Sequence, residues 1–379
     1  MIECAHFEAG RCRSCSLIPV PRVEQVADKG AHVRTLLEPF GSPEWLEPFV
    51  GPEAGFRNKA KMVAGGTVDS PTLGILTPDG DGVDLRDCPL YTPRMHAALE
   101  VLAGFVTLAR LVPYDLATRR GELKHVLVTE APSGGLMVRF VLRSTEPVLR
   151  IRKHLATLLA RLDEAGSTAE VVSVNLQPEH KAVLEGPDEV VLHGETLTMQ
   201  VNEVGLHLRP QSFFQTNTEV AAGLYRAARD WVAEHAGDAR RVWDLYCGVG
   251  GFALHLAAPG RRTTGVEVSA EAIVSARTTA TELGLSGLEF VTADATTWAL
   301  AQDDAPDLVV VNPPRRGIGA DLAGWLERSG TPYVLYSSCN AQTLARDLAA
   351  MPSLRPVRAQ LLDMFPQTGH YEALVLLVR

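Results

Sequence analysis

The residues of this sequence with the most chemistry to offer are its six cysteines, and they fall into distinct groups. Cys339 stands alone near the end, in Tyr336-Ser337-Ser338-Cys339-Asn340, directly after the apolar run Tyr333-Val334-Leu335-Tyr336. A thiol there can act as a nucleophile, since strand ends are where α/β folds place their reacting groups. Taken alone, it reads more readily as a buried structural thiol. Cys4, Cys12 and Cys15 crowd the N-terminus with gaps of seven and two residues, and Cys88 follows in Asp87-Cys88-Pro89. A C-x2-C pair can reach one metal centre, and two further thiolates complete a four-cysteine set for zinc or an iron–sulfur cluster. Three local ligands and a distant fourth lean towards iron–sulfur, and spacing alone leaves zinc open. Cys247, inside a glycine turn, suits a small wall residue.

A second constellation combines glycines with carboxylates. Val242-Trp243-Asp244-Leu245-Tyr246 is an apolar strand running into Cys247-Gly248-Val249-Gly250-Gly251 and then a helix. Strand, glycine turn and helix open a Rossmann-like nucleotide site, where Gly248 and Gly250 let a ligand approach the backbone. The spacing is not G-x-G-x-x-G and no phosphate-binding Lys-Ser/Thr opens the helix, which disfavours a dinucleotide or nucleoside triphosphate. Glu267 ends the next strand nineteen residues past Gly248, where a carboxylate can accept both ribose hydroxyls. Asp294 ends a third strand and can face an adenine amino group. Each carboxylate alone would be an ordinary solvated strand end or helix cap. In series with the glycine turn they suit an adenosine without phosphates, as in S-adenosylmethionine. The fourth strand runs into Asn312-Pro313-Pro314-Arg315-Arg316-Gly317, whose prolines fix an extended turn that aims Asn312 at the pocket. Arg315 stands where amino-methylating enzymes carry an aromatic, which speaks against N-methylation of adenine.

These groups need a scaffold. The chain has 379 residues, 46% hydrophobic and 21% charged, as in a globular protein of two domains. No apolar run is long enough to span a membrane, and the N-terminus lacks a basic flank and apolar core, so a cytoplasmic protein without a leader is expected. Net charge is −9, yet from Arg110 to Lys153 nine Lys/Arg face four Asp/Glu, which keeps a nucleic-acid partner open. Arg57, Lys59 and Lys61 alternate as on one strand face and could meet phosphates, although a solvated face is as natural. Helices are predicted over Pro93–Arg110, Leu149–Leu162 and Thr218–Ala233, and a hairpin over Lys124–Thr129 and Leu136–Arg143. Strands and helices alternate after about residue 208, implying a mostly parallel sheet. The expected regions are a cysteine-bearing region over 1–90, a central mixed α/β region over 91–208 and a catalytic region over 209–379.

The stretch Asn312–Gly317, then Val334–Thr343, then Asp363-Met364-Phe365-Pro366-Gln367-Thr368-Gly369-His370-Tyr371-Glu372 closely resembles the RNA uracil-C5 methyltransferases. The cysteine set, Gly55-Phe56-Arg57-Asn58-Lys59, Arg209–Asn217 and Trp243–Gly251 extend the resemblance over essentially the whole chain, to the branch acting on 23S rRNA. The four cysteines are those of iron–sulfur members. With three residues before Cys4, no RNA-binding β-barrel (TRAM) is expected. Asn312 replaces the Asp of most members, and Tyr246 replaces a usual Phe.

The resemblance implies a class I methyltransferase domain behind an α+β RNA-binding domain. It implies S-adenosylmethionine contacts from Gln215, Tyr246, Glu267 and Asn312, Cys339 as nucleophile, Glu372 as base, and a [4Fe–4S] cluster on Cys4, Cys12, Cys15 and Cys88. Arg315 is expected to contact the RNA substrate, and His370 is either an orienting donor near RNA or structural. Expected partners are 23S rRNA, no DNA and no membrane, with a monomeric chain. Three other readings are methylation of a different RNA uridine, a cytosine-C5 enzyme and a non-catalytic RNA-binding module. The second would place Pro-Cys in the fourth-strand motif, and Cys339 with Glu372 argues against the third.

Overall fold

A computed structural model describes residues 2–181 and 183–379. The chain divides into two compact units, one of Ile2–Cys15 and Pro52–Met199, the other of Ser16–Gly51 and Gln200–Arg379. The expected region 1–90 is thus divided: the cysteine arm lies with the central unit, and Arg22–Leu37 lies with the C-terminal one. Among the described residues no helix is long and apolar enough to cross a membrane.

In the unit holding the cysteines, a sheet runs in the order Gly82–Asp84, Pro71–Leu76, Lys59–Gly66, Leu123–Glu130, Gly135–Leu142, Thr168–Leu176 and Asp188–His193. The hairpin around Pro132–Gly135 forms as its turn residues demand, with Glu130 opposite Leu136. Helices Pro93–Leu108 and Val148–Glu164 contribute Leu99, Leu102, Ile151 and Leu158 to the core beneath Met62, Val126, Val138 and Val174. Alternation along Lys59–Gly66 buries Ala60 and Met62 and turns Lys59 and Lys61 to the other face.

The C-terminal unit is an eight-stranded sheet in the order Glu44–Trp45, Arg355–Leu362, Glu372–Val378, Tyr333–Ser338, Leu308–Val311, Arg241–Leu245, Arg262–Glu267 and Leu288–Thr292. The last five of these are mutually parallel, so their C-terminal ends share one edge. Leu308–Val311 is buried throughout, as an apolar run without alternation requires when both faces are covered. The chain first runs outward from Arg241–Leu245 and then returns to the opposite side at Leu308–Val311. That reversal opens a crevice at their C-terminal ends, the place where such sheets bind ligands. Glu372–Val378 runs antiparallel to its neighbours, with Ser338 opposite Ala373. This pairing sets the start of the last strand beside the end of Tyr333–Ser338.

Candidate active site

The antiparallel register places Glu372 next to Cys339. Glu372 is 1% exposed, and its Oε1 accepts a 2.5 Å hydrogen bond from Ser337 Oγ. Burial pushes its carboxyl up to about 7, against the lowering effect of that bond. Cys339 is half-buried. Burial and then the Glu372 charge raise its thiol above the ordinary value, while the Arg315 guanidinium, hydrogen-bonded to the sulfur, acts in the opposite direction. A cation and a buried carboxyl therefore flank one thiol, the combination needed to form a thiolate and later accept a proton.

Arg315 is held by its backbone. Its carbonyl accepts from Asn340 Nδ2 at 3.1 Å and from Thr343 Oγ1 at 3.2 Å, both at the start of helix Ala341–Ala349. Arg346 donates to the Arg316 carbonyl. Buried Asp347 completes the attachment, its Oδ2 accepting from Ile318 N and Tyr336 Oη, each at 2.8 Å. Gly317 has φ of +81°, and a Cβ there would collide with that same oxygen, so the loop tolerates only glycine. Sequence reasoning missed Ser337 and Asp347. Nothing local marks Ser337. Asp347 had a faint signal, because it shares helical spacing with Leu344 and Leu348 and so falls on the buried side of helix Ala341–Ala349.

The loop that precedes Glu372 is anchored from the far end of the chain. Asp363, fully buried, pairs with Arg22 and at 2.7 Å with Lys29, and Lys29 also donates to the Phe365 carbonyl at 3.1 Å. Gln25 donates to Gln367 Oε1 and accepts from Gln367 N. Gln367 has φ of +66°, an uncommon conformation that these bonds stabilise. His32 Nδ1 and Tyr371 Oη are 2.7 Å apart. His370 is exposed, its ring edge-on to Phe365 and its pKa lowered by partial burial and then by Arg315 and Lys29.

The glycine turn lies at the neighbouring crevice. Tyr246 has φ of +64°, strained for an aromatic residue, and its hydroxyl is 3.2 Å from Thr296 Oγ1. Glu267 accepts from Gly248 N at 3.2 Å on one oxygen and from Ser269 N at 3.0 Å on the other. Each oxygen keeps a lone pair for a ligand hydroxyl. A Cβ on Gly248 would point into open space, whereas one on Gly250 would press on Ala276, Leu254 and Phe290 at 3.1 to 3.2 Å. Gly248 therefore faces the crevice and Gly250 packs the following helix. Asp244 is fully buried and accepts from Ala253 N at 2.9 Å, and burial pushes its carboxyl up to about 7. Asn312 N donates to the Leu245 carbonyl at 3.4 Å, at the same strand ends. Gln215 is buried just before helix Thr218–His235, which Asn217 caps. Asp294 caps helix Ala295–Leu300 through Thr297 N at 2.8 Å and Thr297 Oγ1 at 2.9 Å, so one of its oxygens is occupied by the cap.

In the other unit, Cys4, Cys12, Cys15 and Cys88 influence one another electrostatically. Burial first, then the neighbouring sulfurs, push Cys15 up to about 12; burial with Cys4 and Cys12 pushes Cys88 up to about 11. Arg57 lowers both and hydrogen-bonds Tyr91, so its side chain faces the thiols. Lys59 and Lys61 stay on the sheet face, with Lys59 pushed down to about 8 by burial. Among the described residues, no three His, Cys, Asp or Glu side chains are grouped closely enough to hold a single metal ion.

The family model of tRNA (uracil-5-)-methyltransferases matches residues 180–379. The 23S rRNA (uracil(747)-C(5))-methyltransferase RlmC of Escherichia coli K12 is 49% identical over the full length of both chains, and that of Shigella sonnei is 48% identical over the same span. The crystal structure of Pyrococcus abyssi tRNA (uracil-54, C5)-methyltransferase in complex with S-adenosyl-L-homocysteine superposes with a TM-score of 0.78, at 24% identity, over 96% of this chain and 85% of that one.

Proposed function

From the premise that the chain belongs to the S-adenosylmethionine-dependent RNA uracil-C5 methyltransferases, in the RlmC branch, we propose that it methylates 23S rRNA at the uridine equivalent to position 747 of those relatives, through a covalent enzyme–RNA adduct. The observation that carries the reaction is the juxtaposition of Cys339, Arg315 and buried Glu372 at one strand end. Carbon 5 of uracil is a weak nucleophile. Addition of the Cys339 thiolate to carbon 6 moves the ring electrons into an enolate and makes carbon 5 electron-rich. Arg315 stabilises the thiolate before attack and as it leaves. After methylation carbon 5 carries both the methyl group and its original hydrogen. Glu372 removes that hydrogen as a proton, the enolate reforms, and its collapse expels the Cys339 thiolate. Ser337 orients the carboxylate for this.

The crevice suits the methyl donor. Glu267 offers both oxygens to a ribose, open space faces Gly248, and Tyr246 is held with its ring beside Thr296. Gln215, Tyr246, Glu267 and Asn312 would hold S-adenosylmethionine, which when bound supplies an electrophilic methyl carbon. Asp294 would contribute through its oxygen not used by the cap. The test is transfer of labelled methyl to 23S rRNA lacking the modification, followed by mapping of the modified uridine. One methylated uridine at the 747-equivalent position is expected, and methylation elsewhere or of tRNA alone would overturn the assignment. In the same assay Glu267→Ala should raise KM for S-adenosylmethionine about tenfold or more, the cost of two charge-assisted hydrogen bonds; an unchanged KM would remove Glu267 from the cofactor site.

We also propose that Cys4, Cys12, Cys15 and Cys88 hold an iron–sulfur cluster. The support is a set of four mutually interacting thiols, of which Cys15 and Cys88 hold their protons tightly even with the Arg57 guanidinium beside them, so thiolates there need further positive charge. A cluster would supply that positive charge and tie the N-terminal arm to the segment at Cys88. Anaerobically purified protein should contain about four iron and four sulfide per chain, and Cys15→Ser should lose them. Stoichiometric zinc without iron would refute the cluster.

A further inference from the structure

The unit carrying the cysteines contains a cavity of about 530 Å³ that the methyl-transfer chemistry does not use. That volume is in the range of small-ligand pockets. Its wall is mainly apolar, with Tyr114, Leu76 and Leu184 inside and Leu116 and Val183 at the opening, 51% and 48% exposed respectively. Its polar groups converge. Tyr114 Oη lies 3.1 Å from His180 Nδ1, and the Lys124 ammonium sits 4.8 Å above the Tyr114 ring while donating to the Glu179 carbonyl at 2.6 Å. His125 Nδ1 is buried there without a hydrogen-bond partner among the described residues. Burial pushes that imidazole down to about 4, so it is neutral and offers one donor and one acceptor nitrogen.

Exposed cations border the cavity with a carboxylate among them: Glu179 of the wall pairs with Lys181 at 2.9 Å, a contact that a phosphate would have to replace. Val63 lines it, and Lys61 lies two residues earlier on the same strand face, exposed. Lys181 belongs to the wall, and the loop bearing Leu116 also carries exposed Arg119 and Arg120. A flat group with apolar faces and a hydrogen-bonding edge, flanked by anions, matches this arrangement, and a nucleotide in a polyanionic chain has that chemistry. We propose that this cavity receives a second, unstacked base of the RNA substrate, distinct from the methylated uridine, with its flanking phosphates on Lys61 and Lys181. The site then contributes to the choice of RNA rather than to methyl transfer itself. This rests on the reading that RNA is the substrate.

Leu116→Glu tests it, because Leu116 is exposed on a loop and the change sets a negative charge at the opening. Leu116→Gln keeps similar bulk without charge. The assay is steady-state methylation of a 23S rRNA fragment spanning the target uridine, with each other nucleotide in turn replaced by an abasic one. Leu116→Glu should raise KM for RNA about tenfold, within the range for loss of one stacked base, with kcat unchanged; Leu116→Gln should raise it less. One abasic position should impose a similar loss on the wild type and no further loss on Leu116→Glu. Equal KM in wild type and both variants, or abasic penalties that persist undiminished in Leu116→Glu, would overturn the proposal. Failure of the wild type to methylate any form of the fragment would instead overturn the functional reading, and this site with it.

Discussion

Cys339→Ala is expected to abolish methyl transfer, with kcat falling by about four orders of magnitude or more, because the remaining groups cannot make carbon 5 of uracil nucleophilic. Binding should survive. The thiol is half-buried and its removal leaves Arg315 anchored by Asn340 and Thr343, so KM for RNA should change by less than about threefold, an effect below about 1 kcal/mol. The wild-type protein mixed with S-adenosylmethionine and RNA containing 5-fluorouridine should form an adduct stable to denaturation, because after methylation carbon 5 carries fluorine that no base can remove as a proton. Cys339→Ala should form none. Substantial turnover by the alanine variant would refute covalent catalysis by this residue.

Glu372→Gln should separate attack from release. Gln keeps the acceptor for Ser337 and the volume, but it cannot take up the carbon 5 proton. We expect kcat to fall by about 10²- to 10⁴-fold, the usual worth of a positioned base, and the methylated adduct to accumulate on ordinary RNA. A variant with low activity and no adduct would place Glu372 before bond formation. The pH dependence has a defined sign. With the carboxyl pushed up to about 7 by burial, the base is protonated below that pH and competent above it. Wild-type kcat for the release step should therefore rise about tenfold per pH unit below about 7 and level off above. Glu372→Gln should lose that rise. Partial ionisation of the Cys339 thiol also increases with pH, and the Gln variant isolates its contribution.

Much of the C-terminal unit was legible in the sequence because its signals are local. The apolar run of Leu308–Val311, the glycine turn after Leu245 and the alternation of strands and helices each arise from neighbouring residues, and all three appear in the fold. The carboxylate at Glu267 could likewise be assigned to a strand end. Contacts between distant segments could not be read this way. The proximity of Glu372 to Cys339 depends on an antiparallel last strand with Ser338 opposite Ala373, a register that periodicity does not specify. Nothing local shows that Tyr246 takes φ of +64° or that Asp347 grips the loop at Gly317. Asp294 shows the converse case: Asp294-x-x-Thr297 is a legible cap, and the cap forms, alongside any role towards a ligand. The N-terminal cations separated for a similar reason. Arg57, Lys59 and Lys61 share a spacing, but Arg57 lies before the strand and turns to the thiols.

The Lys29–Asp363 pair joins residues 334 positions apart, and the strand Glu44–Trp45 likewise waits for Arg355–Leu362. During synthesis, the first segment of the C-terminal unit leaves the ribosome long before either partner exists. Residues 52–199 can collapse meanwhile into the sheet of the other unit, but Arg22 and Lys29 lack their carboxylate until Asp363 itself has been made. Contacts of such separation close late. The loop that delivers Glu372 is therefore assembled only after that point. An unfinished chain stopped short of Asp363 would have neither Glu372 nor its anchor, and under the proposed mechanism methyl transfer would begin only once this stretch has emerged and found its partners.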